Sequence, residues 1–143
     1  MSTNGVRVRE VMTEHPVELP ASASASDAAA AMRRLNVGAV LVMTDHQGLC
    51  GIVTDRDLVI RAMASGKDPK NVKLEDICSR EVTSLGPDDS VEKAVKLMRE
   101  KAVRRLPVLD ESKPVGIVSL GDLALRLDRK SALGDISAAQ PNL

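Results

Sequence analysis

The sequence predicts a mixed α/β fold in which two copies of one unit, each strand, helix, strand, strand, helix, pack together as one pseudo-two-fold module. Three observations carry that expectation. Gly51-Ile-Val-Thr-Asp-Arg-Asp57-Leu58 returns 65 residues later as Gly116-Ile-Val-Ser-Leu-Gly-Asp122-Leu123. The likeness continues upstream, where Ala28 to Met32 matches Ala94 to Met98, Val40 to Val42 matches Leu106 to Val108, and Val11 matches Ile77. Within each copy, short apolar runs alternate with stretches of helical periodicity. Self-similarity at a fixed spacing marks a duplicated supersecondary unit, and such a unit buries its open face against its copy.

Residues 1–7 read as a polar tail, and Val8 to Thr13 opens the first copy, which runs over 8–66. Val17-Glu-Leu19 alternates as a short strand does. From Ser24 onward Ala25, Ala28, Ala29 and Met32 fall at i, i+3, i+4 and i+7, and Ser24 with Asp27 has the spacing of a capping box. That helix is expected to end near Asn36-Val-Gly38, with Gly38 as its stop. Ala39 to Met43 and Leu49 to Val53 are apolar runs around Thr-Asp-His-Gln-Gly and read as a hairpin, and a second helix follows from Asp55 to about Ser65. Gly66-Lys-Asp-Pro-Lys-Asn71 carries the turn signals of a linker, bounded at 67–73.

The second copy, 74–128, repeats the order. A strand is expected near Val82 to Leu85, then a helix over about Ser90 to Lys101 with Val91, Ala94, Val95, Met98 and Ala102 on one face. Strands Leu106 to Leu109 and Pro114 to Val118 follow, then a helix over about Leu120 to Leu127. In each copy the first three elements form a crossover unit, expected to be right-handed. Residues 129–143 read as a tail in which Leu133 and Ile136 are placed to dock a short helical turn.

Length and composition bound what such a protein does. The 143 residues suffice for one compact domain or for two small halves with a shared core, and not for a separate catalytic domain. Twenty basic and twenty acidic side chains cancel, so no overall field draws the chain to nucleic acid or an anionic membrane, and any attraction for phosphate must be local. There is no Phe, Tyr or Trp. The core must therefore come from Val, Leu, Ile, Met and Ala, at roughly 25 cal/mol per Å² of apolar surface buried. Base stacking on aromatic platforms, on which single-strand nucleic-acid binders rely, is ruled out. Cys50 and Cys78 make no disulfide framework, the N-terminus lacks the pattern of a signal peptide, and no run approaches the roughly 18 apolar residues of a membrane helix. The expectation is a soluble cytoplasmic protein.

The residues resemble the cystathionine β-synthase (CBS) domain family over roughly 8–128. The signature is an apolar strand running into Gly-Ile-Val-Thr/Ser-x-x-Asp-Leu, preceded by a hairpin and, in the second copy, by Val103-Arg-Arg-Leu-Pro-Val108, and it occurs twice with matching upstream helices. The resemblance implies a regulatory or sensor module whose paired repeats bind an adenosine-containing ligand, such as AMP, ADP, ATP or a related adenosyl compound, in clefts between them. No cofactor is required, and magnesium is admitted only alongside a nucleotide.

The motif has chemistry of its own. Thr54 and Ser119 stand where a strand ends and a helix begins, so their hydroxyls and the first free backbone N–H groups form an anion seat. Asp57 and Asp122, three residues on, place a carboxylate one turn into the helix, able to accept from two vicinal hydroxyls at roughly 1.5–3 kcal/mol per hydrogen bond. The same letters also spell a hydroxyl N-cap with an acidic group in the first turn, and both readings stand. By resemblance the aspartate is the ribose contact and the hydroxyl residue lies near ribose or phosphate. Arg104 and Arg105 stand where nucleotide-binding family members carry basic residues facing the phosphates; the alternative is a solvated pair on a strand edge. The first copy has Gly38-Ala39 at that place, with Arg56 to compensate, so the two clefts should differ. Backbone groups near Thr13 to Val17 and Glu81 to Thr83 are expected to read the base edge. The ligand-binding residues so marked are Thr13, Val17, Gly38, Ala39, Thr54, Arg56 and Asp57 from the first copy, and Val82, Arg104, Arg105, Pro107, Ser119 and Asp122 from the second.

His15 and His46 have no ligand partners at metal-binding spacing, and Cys50 and Cys78 read as buried, inert thiols. No nucleophile, base and orienting group assemble, so the chain is not read as an enzyme. The outer helices, near Leu58 to Met63 and Leu123 to Leu127, are expected to bury their apolar faces in a homodimer. The rival readings are a ligand-free interaction module, in which the motifs are only caps, and a nucleic-acid binder, disfavoured by the charge balance and the lack of aromatics.

Overall fold

A computed structural model of the chain describes residues 5–46, 48–79 and 82–127. In chain order its strands and α-helices are β1 (Thr13–Glu14), β2 (Glu18–Pro20), α1 (Ala25–Leu35), β3 (Ala39–Met43), β4 (Leu49–Thr54), α2 (Asp55–Asp57), α3 (Leu74–Ile77), α4 (Val91–Lys101), β5 (Arg105–Asp110), β6 (Lys113–Ser119) and α5 (Leu120–Leu127). The described residues divide into two compact units. The central one takes residues from 17 to 82, and the terminal one takes 5–16 together with 83–127. Glu81 and the segment 129–143, with Leu133 and Ile136, lie outside the described residues.

In the central unit the sheet order is β2-β3-β4, with β2 parallel and β4 antiparallel to β3. Ala39 to Val42 are all buried, as a strand covered on both faces must be. α1, the crossover between β2 and β3, covers the sheet with Ala25, Ala28 and Met32, and Ala31 is buried as well. Its expected capping box is formed: Asp27 N–H donates to Ser24 Oγ and Ser24 N–H to Asp27 Oδ2, both at 3.0 Å. Two details differ from the sequence reading. Ala29 is exposed and Ala31 buried, because the buried arc centres between Ala28 and Met32. The stop is Asn36 rather than Gly38: Asn36 takes the left-handed conformation (φ 58°), which asparagine tolerates, and its N–H closes on Met32 O. The helix expected over Asp55 to Ser65 is one run of changing hydrogen-bond pattern, with α2 passing into a π-turn at Leu58–Ala62 and a 3₁₀ turn at Met63–Ser65 before Gly66 (φ 80°) ends it.

The terminal unit has the order β1-β6-β5, both pairings antiparallel. Leu85 bridges Val108 in parallel, the place that β2 takes in the central unit. The strand expected over Val82 to Leu85 shrinks to this bridge because Gly86-Pro87 turns the chain directly after it. α4 is capped by Ser90, whose Oγ accepts from Lys93 N–H at 3.1 Å, and it buries Val91, Ala94 and Met98. Ala102 is not on that face: it is the exposed, left-handed C-cap (φ 53°). Ahead of α4, the Gly86 N–H (2.7 Å), with help from Lys93, holds the Asp89 carboxyl below the usual aspartate range.

Each copy opens with a short helical leader, Val8–Glu10 and α3, and the two leaders make equivalent bonds at a spacing of 66 residues. Val8 N–H donates to Asp89 O (2.8 Å) and Arg9 N–H to Pro87 O (2.9 Å); Leu74 N–H donates to Ala23 O (2.9 Å) and Glu75 N–H to Ala21 O (3.1 Å). The leader of the first sequence copy thus lies in the terminal unit with the hairpin of the second, and the leader of the second lies in the central unit with the hairpin of the first. After each leader the chain runs across a glycine of the hairpin. A Cβ on Gly51 would fall 2.4 Å from the Ser79 carbonyl oxygen, and one on Gly116 would fall 2.5 Å from Met12 Sδ and 2.9 Å from the Thr13 carbonyl oxygen.

Gly51→Ala is accordingly expected to lower stability by about 1–3 kcal/mol, the usual range for forced overpacking, and by more than Gly116→Ala, because a methionine sulfur yields more readily than a backbone carbonyl. Urea denaturation followed by far-ultraviolet circular dichroism measures it in a chain without aromatic fluorophores, and equal stability of Gly51→Ala and the parent would refute it.

Candidate functional site

Both hairpins deliver their second strand straight into a helix, so Thr54 and Ser119 are the last residues of β4 and β6. Thr54 is extended (φ −107°, ψ 168°), which leaves the first N–H groups of α2 at the strand end. Asp57 N–H donates to Thr54 Oγ1 (3.2 Å), and Thr54 donates to Asp57 Oδ2 from its N–H (2.9 Å) and its hydroxyl (3.1 Å). At the terminal junction Asp122 N–H donates to Ser119 Oγ (3.1 Å) and Ser119 N–H to Asp122 Oδ2 (2.8 Å). The capping boxes are formed in both places.

What each carboxylate retains differs. A carboxylate offers about four lone-pair sites. Asp57 spends Oδ2 on two donors, its Oδ1 lies 3.7 Å from Arg61 Nε, and its side chain is 15% exposed. Arg61 also donates from Nη1 to the Ile77 carbonyl (3.2 Å), so it ties this junction to the end of α3. The sequence reading missed Arg61, although its i, i+4 spacing from Asp57 is a usable signal. Arg126 stands at the same i, i+4 spacing from Asp122 as Arg61 does from Asp57, but it is exposed and no ion pair joins it to Asp122, whose Oδ1 has no partner among the described residues.

The two arginines part company. Arg105 is half-buried and stands opposite Ser119 in the β5–β6 ladder. Arg104 is exposed, and its carbonyl accepts from Leu120 N–H at 2.8 Å. Successive residues of extended chain face opposite ways, and Arg104 lines a 540 Å³ apolar groove with Val95, Met98, Arg99, Leu120 and Leu123. At the matching place in the central unit the Gly38 carbonyl accepts from Asp55 N–H (3.0 Å) and Ala39 faces Thr54 in register, while Arg56 is exposed.

The remaining candidates are distributed by unit. Val17, whose carbonyl accepts from Leu41 N–H, and half-buried Val82 belong to the central unit. Thr13 and Pro107 belong to the terminal unit, on either side of Ile117 in the sheet. The stretch Thr13 to Val17 therefore divides between the units after Pro16. His15 and His46 are exposed, and among the described residues no group of three or more His, Cys, Asp or Glu is placed to hold a metal ion. No helix among them is long and apolar enough to cross a membrane.

Comparison with known proteins agrees with this duplication. The family described as CBS domain matches residues 8–63 and again 74–129. The chain is 39% identical over 119 residues to the CBS domain-containing protein YhcV of Bacillus subtilis, covering 82% of this chain and 83% of that one. It is 38% identical over 124 residues to the protein MK0525 of Methanopyrus kandleri, covering 86% of this chain but only 61% of that longer protein. Among solved structures, Hypoxic Response Protein I with two coordinated zinc ions is similar at a TM-score of 0.76 and 30% identity, over 85% of this chain and 99% of that one. The CBS pair of MJ0100, in complex with 5′-methylthioadenosine and S-adenosyl-L-methionine, shares the fold at a TM-score of 0.79 and 24% identity, over 88% and 98% of the two chains.

Because the caps are formed, Thr54→Ala and Ser119→Ala are each expected to lower stability by about 1 kcal/mol with the fold retained. Urea midpoints unchanged in both variants would show that the hydroxyls do not cap.

Proposed function

Since the chain belongs to the CBS-domain family and carries the domain twice, we propose that it is a non-catalytic regulatory module that senses an adenosine-containing ligand at its strand-to-helix junctions. One observation carries the reading: both junctions present a carboxylate one turn beyond a hydroxyl-bearing strand end, and at the terminal one Asp122 keeps an oxygen without a partner among the described residues while Arg105 stands across the ladder from Ser119. Asp122 would accept from the ribose hydroxyls and Arg105 would meet a phosphate. The central junction, with Asp57 engaged by Arg61 and no arginine at Gly38-Ala39, would hold an adenosine without relying on phosphate. The completed caps favour one second reading, a ligand-free interaction module in which these residues only hold the fold.

Titration calorimetry with adenosine, AMP and ATP separates the two. Arg105→Ala is expected to weaken AMP or ATP about tenfold or more, each decade being about 1.4 kcal/mol, and to leave adenosine nearly unchanged. Asp122→Ala should weaken all three. Equal losses for adenosine and AMP in Arg105→Ala would remove the phosphate role, and no binding of any adenosyl compound by the parent protein would leave the interaction module. With no Trp or Tyr in the chain, a 260 nm band on the pure protein reports nucleotide carried through purification.

The module is also proposed to act as a homodimer. Val59, Ile60 and Met63 on the outer turns after α2 are each more than half exposed, and Leu35 and Leu120 nearly so, which is a large apolar surface to leave to water. Sedimentation equilibrium at tens of micromolar should give a dimer that Ile60→Glu with Met63→Glu converts to monomer; a monomeric parent protein would end this part of the proposal.

A further inference from the structure

Cys50 and Cys78 are 28 positions apart in sequence, and the fold brings their sulfurs to 3.8 Å. Two local features produce the meeting. In the β3–β4 ladder Val42 faces Gly51 while the next residue, Met43, faces Leu49, so Cys50 is the extra residue of a β-bulge, a device that re-aims a side chain. Cys78 is the C-cap of α3, and it approaches β4 because Gly51 has no side chain: its Sγ lies 2.9 Å from where a Gly51 Cβ would stand. Cys50 is half-buried and Cys78 buried, both against the core of the central unit. The terminal unit contains the same bulge, with Val115 as its extra residue between Gly116 and Pro114, and Met12 at the leader position. Only the central unit carries a thiol at both places.

We propose that Cys50 and Cys78 form a reversible oxidation site that reacts with a small hydroperoxide to close a disulfide between the β4 bulge and the end of α3. Cys50, the more accessible sulfur, attacks as thiolate; its S–O bond forms as the O–O bond breaks, and the departing oxygen takes a proton and leaves as water or alcohol. The Cys78 sulfur, giving up its proton, then attacks Cys50; the S–S bond forms and the S–O bond breaks, and the second oxygen leaves as water. Two thiols are oxidised by two electrons and one peroxide is reduced, and an external dithiol reverses the change by exchange. Closure fixes a segment otherwise joined to β4 by the Ser79 to Ile52 hydrogen bond (3.2 Å), one residue from the Ile77 carbonyl that receives Arg61. The inference does not depend on nucleotide binding.

The test treats the full-length protein with stoichiometric hydrogen peroxide, denatures it, alkylates with iodoacetamide and measures intact and peptide masses. The expected result is a monomer lighter by two hydrogens that takes no alkyl group, yields a linked peptide pair containing Cys50 and Cys78, and regains two alkylatable thiols after dithiothreitol. Cys78→Ser should instead accumulate a dimedone-reactive sulfenic acid at Cys50, while Cys50→Ser should react far more slowly. Two fully alkylated thiols after peroxide, linkage only between separate chains, or oxygen addition at Cys50 without linkage would each overturn the proposal; all three are read on the parent protein and need no variant to fold.

Discussion

Just beyond each leader the chain runs across its hairpin at a glycine, and much of the architecture hangs on that approach. At Gly51 the nearest atom to an added Cβ is the carbonyl oxygen of Ser79, a group with no rotamer to escape into. Close approach brings Leu74, Ile77 and Cys78 into the central core, just as the equivalent approach at Gly116 brings Val8 into the terminal core beside Leu106 and Val118. The leaders are themselves held by paired N–H groups on the carbonyls of the turn before the long helix, so the start of α1 and of α4 is fixed by a segment from a remote part of the chain. A core without aromatic side chains gains from this arrangement, since tight contact, more than bulk, decides how much dispersion energy it recovers.

The same economy governs the junctions. Thr54 with Asp57 and Ser119 with Asp122 serve as helix caps, and capping is strong enough to explain their spacing without any ligand. A cap and a ligand contact are compatible, because one oxygen of the carboxylate satisfies the backbone while the other remains to accept from elsewhere. The difference between the junctions then comes from neighbours outside the motif. Arg61 occupies the second oxygen of Asp57, and Arg105 brings a fixed positive charge opposite Ser119. Both copies keep the cap and an arginine four residues beyond the aspartate, but only Arg61 is paired with it, and only the terminal copy has an arginine opposite the hydroxyl residue.

The sequence reading was most accurate where the signal is periodic or local. Both long helices begin at the serines their spacing indicates, both hairpins lie where apolar runs flank a turn, and the two-fold repetition is matched by the family over 8–63 and 74–129. It erred where two local signals compete. Gly38 looks like a helix stop, but Asn36 reaches the left-handed conformation two residues earlier, and the Gly38 carbonyl instead accepts from Asp55 N–H. The short run at Val82 to Leu85 reads as a strand, yet only Leu85 bridges before Gly86-Pro87 turns away.

By itself, then, the sequence determined the duplication, the order of elements, the caps and the family, because each follows from residues within a turn or two of one another or from a repeat visible in the letters. Which unit a leader joins, that Arg105 and not Arg104 stands across from Ser119, that Arg61 reaches both Asp57 and Ile77, and that Cys50 meets Cys78 were decided only by the tertiary structure. Those contacts depend on hairpin register, on the bulge at Cys50 and on chain returning from tens of residues away, and a side chain's neighbours across such a return are set by packing rather than by any local preference.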